Sequence, residues 1–231
     1  VHNNAVTLRA NVAPHLTGNF FTINLKDARE AFEQVPWVRQ AEVRREYPNS
    51  LRVILLEHEA QAYWGPDTGT AMVNTMGEVF EANVGEVERD GLPRLSGPQD
   101  SAADVLRMFY ALEPAFKDMG APPIDALTLR DGGSWLVQLD NGAHIELGGG
   151  KEQDVLQRIQ RFVRTLPQIT HQYQRTAEAL EYADLRYPDG YALRLRGVTT
   201  VSREKALEMA RRQAAAQQQD SKKTRPTEGR H

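Results

Sequence analysis

The chain has 231 residues, with 28 Lys+Arg against 31 Asp+Glu, 40% hydrophobic residues and no cysteine. Disulfides and Cys-ligated zinc are therefore excluded, and so are collagen-like and wholly disordered readings; the length suits one large or two small globular domains. The longest apolar run, Met108 to Leu112, is five residues, far short of the roughly twenty that a bilayer span needs. Charge is unevenly placed: residues 1–200 hold 20 basic and 27 acidic side chains, whereas 201–231 hold 8 and 4. An acidic body argues against a broad nucleic-acid footprint. The basic end is rich in Arg, Gln, Ala and Lys and carries few large apolar side chains beyond Leu207 and Met209, so it reads as a solvated, disordered tail. The opening Val1-His2-Asn3-Asn4 has no initiator Met and no targeting pattern, which suggests that residues upstream are lacking.

Leu8, Val12 and Leu16 suggest a first helical segment closing between Pro14 and Gly18. Asn24 is placed to cap a second helix, in which Leu25, Ala28, Phe32 and Val35 recur at helical spacing before Pro36. Two strands follow, Val38 to Arg45 and Leu51 to Leu56, joined through the turn chemistry of Tyr47-Pro48-Asn49-Ser50. Short strands are then predicted at Gln61–Trp64, Ala71–Asn74, Val79–Ala82 and Leu92–Leu95. Ser101 and Asp104 look like a capping box for a helix whose stripe is Val105, Leu106, Phe109, Leu112 and Phe116. Strands resume at Ile124–Leu129 and Trp135–Leu139, with Asp140-Asn141-Gly142 as a hairpin turn into Ala143–Leu147. Another helix carries Val155, Ile159, Phe162 and Leu166 and is expected to stop at Pro167. Two last strands, Leu180–Tyr187 and Tyr191–Leu195, flank Pro188-Asp189-Gly190. The fold class is α+β.

No motif completes a catalytic or metal constellation. His58-Glu59-Ala60-Gln61-Ala62 begins like a zincin helix but places Ala where the second histidine must stand. Gly148-Gly149-Gly150-Lys151 lies between strand and helix, as a phosphate cradle would, yet lacks the P-loop spacing and has Glu152 in place of Ser/Thr. Gly132-Gly133-Ser134 has Leu136 where a nucleophile elbow requires glycine. The six histidines show no ligand spacing, so no metal or cofactor is expected. A binding surface is the remaining possibility. In the last strand Tyr191, Leu193 and Leu195 alternate with Ala192, Arg194 and Arg196. Two readings are open: the edge accepts a partner strand, or its apolar side packs inward and the arginines solubilise it.

Three stretches carry a resemblance: Asn19-Phe20-Phe21-Thr22-Ile23-Asn24; Val35-Pro36-Trp37-Val38-Arg39-Gln40-Ala41-Glu42-Val43-Arg44-Arg45 with Tyr47-Pro48 and Leu51-Arg52-Val53; and Glu57-His58-Glu59-Ala60-Gln61-Ala62-Tyr63-Trp64. Together with Ser134-Trp135, Arg161-Phe162-Val163 and Tyr182-Ala183-Asp184-Leu185-Arg186-Tyr187, they resemble the FtsQ/DivIB family of bacterial cell-division proteins over roughly residues 5–200. The resemblance implies a POTRA domain at 1–60 without its opening strand, an FtsQ-type β domain with two helices at 61–200, and the tail at 201–231. It implies no enzymatic activity and no cofactor. It further implies a single-pass inner-membrane protein, with this region periplasmic at the division septum and the membrane helix upstream of Val1.

Partners implied by the resemblance are FtsB and FtsL, with the FtsW/FtsI synthase and other divisome proteins reached directly or indirectly. FtsB is expected to extend the final strand. Carried over residue by residue, the site comprises Arg186, Tyr187, Asp189, Gly190, Tyr191, Leu193 and Leu195. Arg130 stands near the place of a basic contact that Gly132 and Gly133 here occupy, and Val43 and Arg45 fall on the POTRA strand implicated in recruitment. The alternative is a POTRA-type chaperone or assembly factor for outer-membrane insertion or secretion, which would require POTRA repeats and a C-terminal barrel.

Overall fold

The computed structural model describes residues 5–16, 18–66, 69–82 and 91–198. Helix α1 (Ala5–Val12) runs into a 3₁₀ turn at Ala13–His15, and α2 (Leu25–Glu33) follows. Asn24 caps α2 as its sequence position suggests, Oδ1 accepting the Lys26 N–H at 3.0 Å. Strands β1 (Val38–Glu46) and β2 (Ser50–Glu57) then pair antiparallel, with Ala41 opposite Leu55 and Val43 opposite Val53. Ala41 and Leu55 join Val12, Ala31, Val35 and Val38 in the core under the helices. Ile54 and Leu56 point the other way and are exposed. Among the described residues this sheet has two strands.

The remaining nine strands form one mixed sheet: β3 (Ala60–Trp64), β4 (Ala71–Asn74), β5 (Val79–Glu81), β6 (Arg94–Ser96), β7 (Ile124–Leu129), β8 (Trp135–Leu139), β9 (His144–Gly148), β10 (Leu180–Asp184) and β11 (Ala192–Leu195). Their order is β11-β10-β9-β8-β7-β6-β3-β4-β5. The β6–β7 and β9–β10 pairs are parallel, and a parallel pair needs a long crossover. Helices α3 (Ala102–Asp118) and α4 (Glu152–Gln172) supply those crossovers and pack on each other. Alternate residues of β8 and β9, among them Val137, Leu139, Ile145 and Leu147, are fully buried together with the stripes Val105–Leu112–Phe116 and Val155–Ile159–Phe162–Leu166. Half-buried or exposed Leu136, Gln138, His144 and Glu146 occupy the alternate positions.

Trp37 joins the two sheets. Although it lies between α2 and β1, it is 2% exposed within a cluster of Ala60, Met72, Phe80 and Ala82 that belongs to the large sheet. Its φ of +70° is unusual for a bulky residue and costs about 1–2 kcal/mol, which the burial of an indole ring outweighs. Nearby, Arg39 of β1 makes a two-pronged ion pair with Glu78 in the β4–β5 turn, at 2.6 and 3.0 Å.

The structure corrects three local expectations. Pro167 does not end α4, which continues to Gln172. The ring sits on the exposed side, while buried Leu166 and Thr170 hold the surrounding turns to the core, so packing outweighs one lost backbone bond. Ser101 does not cap α3 through its side chain, because its Oγ donates to Pro98 O at 2.7 Å. The strand expected over Leu180–Tyr187 stops at Asp184, whose carboxylate accepts the Arg186 backbone N–H at 3.1 Å and bends the chain out of the ladder. Among the described residues no helix is long and apolar enough to cross a membrane. Residues 199–231, including the basic segment expected to be a disordered tail, lie outside the described residues.

Candidate functional site

Strand β11 terminates the large sheet, pairing with β10 through Asp184–Ala192, Ala183–Leu193 and Tyr182–Arg194. Among the described residues its other side is a sheet edge, which offers backbone donors and acceptors to a partner. The apolar side of the strand packs inward while its main-chain edge stays unpaired among the described residues, so both readings are compatible with the burial: Leu195 is 3% exposed, Tyr191 and Leu193 are half-buried, and Ala192 and Arg194 are exposed. Arg194 lies 3.7 Å from Glu181, also on the outer side.

Helix α4 fixes this edge from behind. Tyr191 packs edge-on against buried Phe162, with ring centroids 5.0 Å apart, and its hydroxyl hydrogen-bonds Thr165 Oγ1 at 2.6 Å. Arg161 Nη1 donates to Pro188 O at 2.8 Å, anchoring the loop before β11. Tyr191 therefore positions the strand, while Tyr187, at 55% exposure, is the large apolar side chain offered to solvent beside it.

Arg186 is bound within the chain. Its Nε and Nη2 donate to the two carboxylate oxygens of Asp184 at 2.9 and 2.7 Å, and Leu185 N donates to Glu146 O at 2.8 Å. The guanidinium, helped by the Arg186 backbone N–H, holds the Asp184 carboxyl below its usual range despite burial, and the carboxylate raises Arg186 in turn. Arg130 is likewise held, making a two-pronged pair with Glu146 at 2.8 and 2.9 Å. Asp184, Glu146, Phe162 and Thr165 were not read as site residues. The available signals were a carboxylate inside an apolar strand and an Asp-x-Arg spacing at Asp184-Leu185-Arg186.

Two depressions flank the edge. One, of about 580 Å³, is lined by Arg130, Leu136, Gly142, His144, Glu146, Glu181, Tyr182 and Arg194, and so brings Arg130 to the side of the sheet where Arg194 lies. The other, of about 260 Å³, is lined by Asp154, Gln157, Arg158, Arg161, Arg186, Tyr187 and Pro188. The first wall is charge-balanced, its Arg130 and Arg194 paired with Glu146 and Glu181, whereas the second holds three arginines against Asp154, which suits a partner bearing carboxylates. Asp189 is exposed and Gly190 half-buried in the turn that leads to β11. Val43 and Arg45 are not brought to this place. They lie in the two-stranded sheet, where Val43 is half-buried opposite Val53 and Arg45 donates to Phe20 O and Ile23 O at 2.9 and 2.6 Å.

The glycine run ahead of α4 has a packing cause. Arg158 Nη2 donates to Gly149 O, and Gly148 and Gly150 adopt φ of +76° and +115°. A Cβ at Gly149 would stand 2.9 Å from the Gly133 carbonyl oxygen, so the two glycine turns meet backbone to backbone. Gly149→Ala is expected to lower stability by about 1–3 kcal/mol, read as a reduced urea midpoint; Gly132→Ala, where the added carbon meets nothing within 4 Å, should change it far less. Among the described residues no group of three or more His, Cys, Asp or Glu could hold a metal ion.

A helix–helix–strand–strand module followed by a helix-backed mixed sheet that ends in the β11 edge defines a two-domain α+β protein. A family model described as "POTRA domain, FtsQ-type" matches residues 2–58, and one described as "Cell division protein FtsQ/DivIB, C-terminal" matches 62–186. The chain is 44% identical over 198 residues to the cell division protein FtsQ of Burkholderia pseudomallei, covering 85% of this chain and 76% of that one. It is 41% identical over 195 residues to FtsQ of Thiomonas arsenitoxydans, covering 84% and 70%, and 38% identical over 201 residues to FtsQ of Bordetella pertussis, covering 81% and 71%. The chain belongs to the FtsQ/DivIB family of cell division proteins.

Proposed function

We propose that this chain is a non-enzymatic divisome scaffold that binds FtsB, and with it FtsL, by accepting a partner strand on the open edge of β11. The observation that carries this reading is the edge itself: β11 is backed by Phe162, Thr165 and Arg161 and flanked on the Tyr187 side by a depression lined by Arg158, Arg161 and Arg186. Main-chain pairing supplies affinity, and Tyr187 and the flanking arginines select the partner. Arg186 acts while still paired with Asp184, which orients its guanidinium for a second carboxylate. The region works in the periplasm at the division septum, held to the inner membrane by one upstream helix. Through FtsB and FtsL it links early division proteins to the FtsW/FtsI synthase, and Val43 and Arg45 contribute a separate recruitment surface on the POTRA domain. The domains divide near residue 60, with the tail from 201.

Calorimetry with an FtsB peptide tests the site. Tyr187→Ala should weaken binding at least about tenfold, close to 1.4 kcal/mol, without altering the melt of this exposed position. Arg194→Ala, on the rim, should cost less. Unchanged affinity in Tyr187→Ala would remove the aromatic anchor from the account.

A further inference from the structure

The contact between the two domains contains a histidine that the binding edge does not use. His58 follows β2, and its backbone N–H donates to Trp37 O at 2.8 Å. Its ring stacks on Phe80 of β5, centroids 4.2 Å apart and planes within 2°. Its Nδ1 lies 2.8 Å from Asn74 Nδ2. Asn74 is 1% exposed, and its orientation is fixed: Oδ1 accepts the backbone N–H groups of Met76 and Glu78, both at 2.9 Å. The amide nitrogen must therefore face His58 and Glu78, donating to Glu78 Oε2 at 2.7 Å. With a donor opposite it, Nδ1 has to be the acceptor, so the imidazole is neutral with its proton on Nε2.

The turn that reads this histidine cannot yield easily. Gly77, at φ +78°, lies so close to α3 that a Cβ there would stand 2.6 Å from Ala103 Cα. Asn74 and Glu78 are thus fixed to the large sheet's helix layer, whereas His58, Trp37 and Arg39 come from the POTRA side. The charged groups facing the ring are Glu78 from the β4–β5 turn and Arg39 from β1, and Glu57 and Glu59 flank it in the chain. Both Glu78 oxygens already accept from Arg39, and one also from Asn74.

We propose that His58 is a pH-sensitive pin between the two domains: neutral, it accepts from Asn74 and holds the POTRA hairpin on the large sheet; protonated, it sets N–H against N–H and releases that hold. Burial pushes the imidazole below its ordinary 6.5, Glu78 opposes this and Arg39 adds to it. The unfolded chain consequently binds the proton more readily than the folded one. The stabilisation is complete above pH 6.5 and is lost as pH falls from 6.5 through the lower folded value. Glu78, held at about 2 by Arg39 and Asn74, stays ionised throughout that window.

The absence of native cysteine makes the test simple, since a dye pair on Arg52→Cys in β2 and Lys117→Cys in α3 of the full chain reports the distance between domains. The distribution of energy-transfer distances is expected to be narrow at pH 7.5 and at least twofold broader once the pH has been lowered past the titration of His58, followed by its imidazole shift. Its midpoint should follow the His58 imidazole shift, and His58→Gln should abolish the pH dependence. A distribution unchanged across the His58 titration, or a broadening that persists in His58→Gln, overturns the proposal. If His58→Gln fails to fold, ¹⁵N spectra of the unsubstituted chain decide: a protonated Nδ1 at pH 7.5 overturns it, and an Nε2–H tautomer whose titration tracks the broadening supports it.

Discussion

Trp37→Ala is expected to lower the unfolding free energy by about 3–5 kcal/mol, the usual cost of truncating a buried aromatic residue. The ring is 2% exposed and packs on Phe80 with centroids 5.3 Å apart, in a cluster that also contains Met72, Ala60 and Ala82. Removal leaves a cavity where the two domains meet, and the +70° φ of residue 37 loses the packing that enforces it. Thermal melts should fall by on the order of 10 °C. The energy-transfer distance between the domains should also broaden at pH 7.5, where His58 is neutral. A melt within about 1 °C of the parent would show that Trp37 is not the anchor described.

Phe162→Ala should be nearly as costly, about 3–5 kcal/mol, because Phe162 is fully buried in the α4 stripe. Its distinguishing effect lies at the edge. Tyr191 loses its edge-on ring partner and keeps only the hydroxyl contact to Thr165, so β11 should fray. Below the melting transition, amide exchange at Ala192–Leu195 is expected to accelerate more than at Trp135–Leu139 in the sheet centre, and FtsB peptide affinity should fall although Phe162 touches no partner. Tyr191→Phe, which deletes only the hydroxyl, should cost about 1 kcal/mol and leave the ring contact in place. Equal acceleration across both strands would mean that Phe162 supports the core alone.

Much of the fold was legible because its elements obey simple periods. The alternation in Val38–Arg45 and Leu51–Leu56, the Asn24 cap and the Asp140-Asn141-Gly142 turn each correspond to an observed element or junction. The misreadings arose where tertiary packing outweighs a local rule, as at Pro167, where buried Leu166 and Thr170 carry α4 past an exposed ring. Strand order was not legible, since the pairing of β3 with β6 and of β9 with β10 joins residues far apart in the chain. The candidate edge was named from resemblance, but its support was hidden: nothing in the pattern of Tyr191 shows that it leans on Phe162 and Thr165, or that Asp184 occupies Arg186. Pro36 reads as the stop after α2, and the helix does end before it, but nothing in the sequence shows that the indole of Trp37 beside it crosses into the other domain's core.

Strand addition at β11 is tested most directly by amide hydrogen exchange at Ala192–Leu195 with and without a saturating FtsB peptide. The account predicts that the amides of this strand facing away from β10 slow by at least about tenfold on binding, while those of Val79–Glu81 at the opposite edge keep their rates. A peptide bound at full affinity with every β11 amide exchanging at its free rate would contradict it.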